Sequence, residues 1–411
     1  MKILVSLCTV VLIFQSAYAT SLEDQDVLTP YLEQEVQQGK IAGVHAMVCK
    51  DGEIIYSKRF GYSNTEAKTE LPDNAIYRIA SMTKVVTAIA ALQLWEKGLY
   101  KLDDPVSFYL PYFRDVRVLK DPEDFEPPYE TEAPRREPTI RDLLRHTSGI
   151  WGGHRYTIAG LRDWNGSLDE FVEQLVSVPL DNQPGSRFRY SYSLDVVGLL
   201  IEKWSGQNLD DYFEQNIFQP LGLEDTGFVI PEEKIDRLVS HYDYKDDQLI
   251  CYESPENSPF RVRSKALSGG GGWNYSYPGL TTTIHDWLVI METIRNYGIY
   301  NNARILKAPT VRLMCMDHLG NIPGALIKGT GYGFGVGVVI DEKLHGKGAS
   351  DGTVFWAGGP HNTYFYIDFK KKLSGALFLQ SGPFGIDDIM NGFLIRSQQM
   401  FGGESVQAEA D

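Results

Sequence analysis

The chain has 411 residues, 43% of them hydrophobic and 23% charged, with 54 acidic against 39 basic side chains and a formal charge of −15. This is globular composition, enough for one two-lobed domain or two domains with a sizeable core. The acidic balance argues against nucleic acid or an anionic membrane surface as a partner, and 4 cysteines exclude a disulfide-built scaffold.

Met1-Lys2 precedes an apolar run over residues 3–14, closed by Gln15-Ser16-Ala17-Tyr18-Ala19. A basic start, an apolar stretch too short to span a bilayer, and small residues at Ala17 and Ala19 read as a signal peptide over 1–19. The mature chain is expected to begin near Thr20 and to be secreted or periplasmic. Cys8 leaves with the leader; Cys49, Cys251 and Cys315 remain, which allows at most one intramolecular bridge. No Cys/His spacing resembles a zinc site, so no metal is expected, and no later stretch is long and apolar enough for a membrane span.

Residues 28–38 have helical spacing. Strands are expected over 41–49 and 53–60, joined through Lys50-Asp51-Gly52, because Asp-Gly between two apolar runs marks a hairpin. Helices follow over 81–97, 139–145, 168–176, 193–204 and 284–296. Thr283 with Asp286 is a capping-box variant, and Gly98 and Gly298 stand where helices would stop. The acidic, proline-rich stretch 121–138 reads as an exposed loop. Strands return over 332–340, 353–356, 363–369 and 374–380, and a helix over 386–400 closes the chain.

Strands at both ends and helices between them imply an α/β fold: an antiparallel sheet lobe built from both chain ends with flanking helices, plus an inserted, mostly helical lobe. The sheet lobe is placed at about 20–75 and 325–401, the helical lobe at about 76–324, and a flexible tail at 402–411. A cleft is expected where the lobes meet.

Ser81-Met82-Thr83-Lys84 opens an apolar helix, which puts hydroxyl and amine on one face about a turn apart. A helix N-terminus stabilises developing negative charge, and a desolvated amine can take a proton. A solvated lysine beside a helix cap is the bland alternative, but Ser81 is the one serine in the chain with lysine three residues on. Tyr190, just before the helix that starts near Ser193, can relay a proton if a cation neighbours it. Spacing alone favours the blander reading, a tyrosine that caps a core. Gly348-Ala349-Ser350-Asp351-Gly352 matches the nucleophile elbow of α/β-hydrolases, yet that elbow needs a helix after the serine, and here a strand-like segment follows. An exposed hairpin turn is the better reading. The glycines 269–272 lack the Gly-Lys-Ser/Thr of a phosphate loop.

Ala80-Ser81-Met82-Thr83-Lys84, Leu143-Leu144-Arg145-His146-Thr147-Ser148-Gly149-Ile150 and Tyr190-Ser191 before Leu194-Asp195-Val196-Val197-Gly198 occur in order, with Gln183-Pro184-Gly185 and Pro220-Leu221-Gly222-Leu223. In these motifs the chain, from about 28 to about 400, resembles the serine β-lactamase and penicillin-binding-protein family. The resemblance implies an acyl-enzyme on Ser81, with Lys84 and Tyr190 sharing the proton transfers and His146 in a structural role. It implies no cofactor, and a small-molecule ester or amide as substrate.

Two departures bear on that substrate. Tyr192 stands where lactamases carry Asn, and Trp356-Ala357-Gly358 replaces the Lys-Thr-Gly strand whose cation helps bind a carboxylate. The Trp-x-Gly form is similar to family VIII carboxylesterases, so an esterase is expected; a β-lactamase or D-alanyl-D-alanine carboxypeptidase is the alternative, and an inactive binding protein the third. Tyr192, Trp356 and His361 are candidate substrate contacts. The oxyanion is expected on the amides of Ser81 and Gly359. A register one residue later would offer Pro360, which has no N–H. The oligomeric state is not legible.

Overall fold

The computed structural model describes residues 26–123, 127–152, 161, 164, 166–272, 279–383, 385 and 388–403. The expected leader and, from residue 404 onward, the expected tail lie outside the described residues.

Strands β1 (Gly43–Lys50), β2 (Glu53–Asn64) and β3 (Thr69–Glu70) come from the N-terminal part of the chain. The C-terminal part supplies β4 (Thr330–Tyr332), β5 (Gly337–Val339), β6 (Val354–Ala357), β7 (Tyr364–Asp368) and β8 (Leu373–Phe378). Together they make one eight-stranded sheet in the order β4-β5-β6-β7-β8-β1-β2-β3. All its pairings are antiparallel, and the two chain ends join where β1 lies on β8 with His45 opposite Phe378.

The turn between β1 and β2 has two central residues at positive φ, Asp51 at 53° and Gly52 at 92°, the type I′ geometry that matches strand twist. Along β1, Val44, Ala46 and Val48 pack with Leu28, Leu32, Phe393 and Leu394 on one face. Met47 and Cys49 join Phe365, Ile367, Ile290 and Met291 on the other. Alternate residues thus enter two cores, which is why the strand reads as continuously apolar.

Helices α1 (Thr29–Gln37), α2 (Thr83–Glu96), α3 (Ser193–Ser205), α4 (Ile284–Arg295) and α5 (Ile389–Phe401) carry the layers. α1 and α5 cover one sheet face and α4 packs on the other. Every residue of α2 from Thr83 to Leu94 is buried, the signature of a central helix, and α3 lies against it. Thr283 caps α4 by accepting from the Asp286 N–H; the Asp286 carboxylate instead binds Asp225 N and Thr226 Oγ1, so the box is one-sided. Among the described residues no helix is long and apolar enough to cross a membrane.

Three departures from the sequence expectations have physical causes. The stretch 332–340 is not one strand: Gly333 N donates to Val336 O at 2.8 Å, folding it into the β4–β5 hairpin. A further three-stranded sheet joins His241–Lys245, Gln248–Glu253 and Ser381–Gly382, with Asp246 and Asp247 at positive φ in its hairpin. The loop 121–138 contributes a short strand, Thr131–Glu132, paired with Val118–Leu119. Cys49, Cys251 and Cys315 are free thiols.

Candidate active site

Tyr77–Arg78 pairs with Thr281–Thr282, and the chain then turns through Ala80–Met82 into α2. Ala80 has φ +38°, a left-handed conformation that L-residues resist. Its peptide is braced by Gly271: a Cβ there would lie 2.1 Å from Ala80 O and 2.6 Å from Ser81 N, so only glycine permits the approach. Ser81, 9% exposed, therefore enters α2 from a constrained turn.

Lys84, 1% exposed, directs Nζ to 3.2 Å from Ser81 Oγ. The same nitrogen donates to Gly270 O and lies 4.7 Å from the centroid of the Tyr190 ring. The Tyr190 hydroxyl accepts from Trp356 Nε1 at 3.3 Å, and the two rings pack 5.1 Å apart. Ser81, Lys84 and Tyr190, separated by up to 109 positions in sequence, thus form one cluster, with the tyrosine presenting its ring to the lysine and its oxygen to the indole.

His146 sets the tyrosine in place. Its carbonyl accepts from Arg189 N at 2.8 Å, its Nδ1 accepts from Ser191 N at 3.2 Å, and its ring packs 4.7 Å from Tyr190. Burial first, and then the charge of Lys84, hold this imidazole well below its ordinary range, and because Nδ1 accepts from the Ser191 N–H, the neutral ring carries its proton on Nε2. It brackets the tyrosine on both sides in sequence and has no hydrogen bond to Ser81 among the described residues.

Ser81, Tyr190, Trp356, Gly359 and His361 all line one cavity of about 950 Å³, whose wall is largely apolar and includes Phe188, Leu319, Leu326 and Tyr332. Such a volume suits a drug-sized molecule. Trp356 faces Phe365 across the β6–β7 pair, and Gly358 N donates to Thr363 O at 2.7 Å, so pairing runs unbroken to Gly358 before the turn Gly359–His361. Gly358 packs on the backbone just before Ser81, where an added Cβ would lie 2.5 Å from Ile79 O. Among the described residues no acceptor is recorded for the amides of Ser81 or Gly359, and both residues line the cavity. Pro360 follows in the same turn with no N–H to offer.

His361 is a wall residue whose ring packs 4.7 Å from His241; burial, then His241 and Arg78, hold it well below its usual range. Tyr192 does not reach the cavity. It is 3% exposed, with its ring 5.6 Å from Trp151 and 6.3 Å from Phe171. The expected substrate contact there is corrected: the residue that leads into α3 turns its side chain into the helical core. Ser350 is also corrected. It is 2% exposed rather than surface-lying, because Asp368 Oδ2 takes its N–H at 3.0 Å, and it lines a different cleft bordered by Lys50, Lys370, Lys371 and Lys372.

Sequence reasoning missed two buried polar groups. Arg78, fully buried on the wall, is held by Glu253 at 2.8 Å and Val239 O at 2.7 Å. Asp195, in the first turn of α3, binds Ser268 Oγ at 2.6 Å and Gly270 N at 3.1 Å. Its one signal was its place in the Leu-Asp-Val-Val-Gly run.

Comparison with protein families matches residues 28–399 to the Beta-lactamase family. Esterase EstB of Burkholderia gladioli is 30% identical over 386 residues, covering 87% of this chain and 91% of that protein. Lovastatin esterase of Penicillium rubens is 29% identical over 384 residues, covering 84% and 90% respectively. Among solved structures, EstCE1, described as a hydrolase with promiscuous acyltransferase activity, superposes with a TM-score of 0.76 at 25% identity, over 93% of this chain and 99% of that one.

Proposed function

This chain belongs to the beta-lactamase family and is a serine hydrolase of the carboxylesterase type, and from that premise we propose that it cleaves carboxylic esters through an acyl-enzyme on Ser81. The observation that carries this reading is the buried contact of Lys84 Nζ with Ser81 Oγ at 3.2 Å, at the edge of an apolar cavity.

In the proposed sequence Lys84 is the group that takes the Ser81 proton. Its Nζ lies 3.2 Å from Ser81 Oγ, donates to Gly270 O and faces the Tyr190 ring. Ser81 Oγ attacks the ester carbonyl as its proton passes to Lys84. The tetrahedral oxyanion sits on the Ser81 and Gly359 amides, whose N–H groups are otherwise unengaged among the described residues. Tyr190, beside the newly charged Lys84, hands a proton to the departing alkoxide and recovers one from Lys84. Water then attacks the acyl group, the same groups take its proton, and Ser81 leaves with a hydrogen. One ester and one water become one acid and one alcohol.

Esters are favoured over β-lactams or peptide carboxylates because Trp356 stands on β6 where a lysine would clamp a carboxylate, and its indole N–H is directed at Tyr190. A panel of short and long nitrophenyl esters run beside a chromogenic cephalosporin tests this. Ester turnover far above cephalosporin turnover is expected; the reverse ranking would assign a lactamase or carboxypeptidase, and no turnover of either would assign a binding protein. Export is part of the proposal, resting on the basic start, apolar run and Ala17-x-Ala19 ending of residues 1–19. N-terminal sequencing of protein recovered outside the cytoplasmic membrane should begin near Thr20, and retained Met1 would contradict it.

A further inference from the structure

The run Leu194-Asp195-Val196-Val197-Gly198 takes no part in the chemistry above, yet it packs on the loop whose Gly270 carbonyl receives Lys84. Asp195 is buried in the first turn of α3, and its Oδ1 accepts both Ser268 Oγ at 2.6 Å and Gly270 N at 3.1 Å. Thr87, one turn beyond Lys84 on α2, donates Oγ1 to Gly269 O at 2.7 Å. The Gly269–Gly270 peptide is therefore gripped at both ends, its oxygen by α2 and its N–H by α3. The next carbonyl along, Gly270 O, is the one that receives Lys84 Nζ.

Two glycines make this grip possible. An added Cβ on Gly270 would lie 2.0 Å from Asp195 Oδ2, and one on Gly269 would lie 3.1 Å from the Cα of Gly198. The loop backbone lies directly on the carboxylate and on the helix, so moving the carboxylate moves the carbonyl.

We propose that Asp195 is a positioning residue for the proton transfer: by gripping the Gly269–Gly270 peptide it fixes the Gly270 carbonyl that aims Lys84 Nζ at Ser81. The inference rests on the reading of Lys84 as proton acceptor. It explains why one helix start carries both a tyrosine just before it and an aspartate inside it. The N-terminus of α3 then places Tyr190 directly and Lys84 at second hand.

The test is burst-phase acylation by a nitrophenyl ester. Asp195→Ala should slow acylation about 100-fold, the scale for a reacting group displaced by about 1 Å. The ester concentration giving half-maximal burst rate, which reports binding, should move less than about twofold. Asp195→Asn keeps an acceptor oxygen and should stay within about tenfold of wild type. A purely structural role would lower the melting temperature of Asp195→Ala but leave its acylation rate at the wild-type value, and that result overturns the proposal. If Asp195→Ala does not fold, Thr87→Val decides: it removes the other grip at nearly constant volume and should slow acylation about tenfold, the scale of one lost hydrogen bond. Wild-type acylation in Thr87→Val would then overturn it. Fluorophosphonate labelling of the wild type runs alongside: no label on Ser81 defeats the acyl-enzyme reading itself, whereas a labelled wild type with unaffected variants defeats only the role of Asp195.

Discussion

Gly271→Ala is the substitution whose consequence the structure sets most tightly. Gly271 has φ +96°, and placing an L-residue in left-handed backbone costs about 1–2 kcal/mol. The new methyl would stand 2.1 Å from Ala80 O and 2.3 Å from the carbonyl carbon. A relaxed carbon–oxygen contact is about 3.3 Å, so the loop or the nucleophile turn must retreat by about 1 Å. Overpacking of this kind adds about 1–3 kcal/mol, for a total loss of about 2–5 kcal/mol. The turn that must move carries the Ser81 amide and Oγ, and a displacement near 1 Å lowers turnover about 100-fold. Urea titration and kcat/KM on a nitrophenyl ester measure the two effects. Gly39→Ala is the control: Gly39 has φ +73° with nothing within 4 Å of an added Cβ, so it carries the conformational cost alone and leaves activity unchanged. Stability within about 1 kcal/mol of wild type, together with unchanged kcat/KM in Gly271→Ala, would refute the claim that this loop braces the nucleophile.

Tyr190→Phe keeps the ring packed on Lys84 and Trp356 and removes only the hydroxyl; acylation should fall about 100-fold or more with the melting temperature little changed, and near-normal kcat would remove Tyr190 from the proton path. Stability should fall with acidity between pH 6.5 and 4. His45 and His241 are lowered to about 4, in both by burial first, so across that window the unfolded chain binds protons that the native chain excludes. The contribution of each is complete above pH 6.5 and is lost as pH falls through 4, about 3 kcal/mol apiece at the limit. Urea midpoints that stay flat from pH 7 to 4.5 would contradict this.

The sheet was legible because apolar runs such as 41–49 follow from a strand buried on both faces, and Asp51-Gly52 announces its own turn. The closeness of Ser81 and Lys84 was legible because three residues on a helix return to the same face. Tyr190 was not legible from spacing. What holds it are contacts to His146, 44 positions earlier, and these became readable only through motif resemblance. Tyr192 misled because position in a motif says which residue replaces which, not which way a larger side chain turns; the helical core offered Trp151 and Phe171 as neighbours. Ser350 misled because glycines mark a turn but do not show that Asp368 anchors it inward. The grip of Asp195 on Gly270 joins residues 75 positions apart and leaves no periodic trace. The sheet around His241–Lys245 escaped notice because its hairpin uses Asp246-Asp247 in place of a glycine turn.

The central claim is that Ser81 carries the acyl group, and covalent labelling tests it most directly. The chain offers a second candidate in Ser350, buried in a turn before β6 with no lysine on a shared helical face. Wild-type protein treated with a fluorophosphonate and measured intact by mass spectrometry should gain one adduct, mapped to the peptide containing Ser81. Ser81→Ala should gain none and lose ester turnover, while Ser350→Ala should label at the wild-type rate. An adduct on the Ser350 peptide that persists in Ser81→Ala would contradict the account.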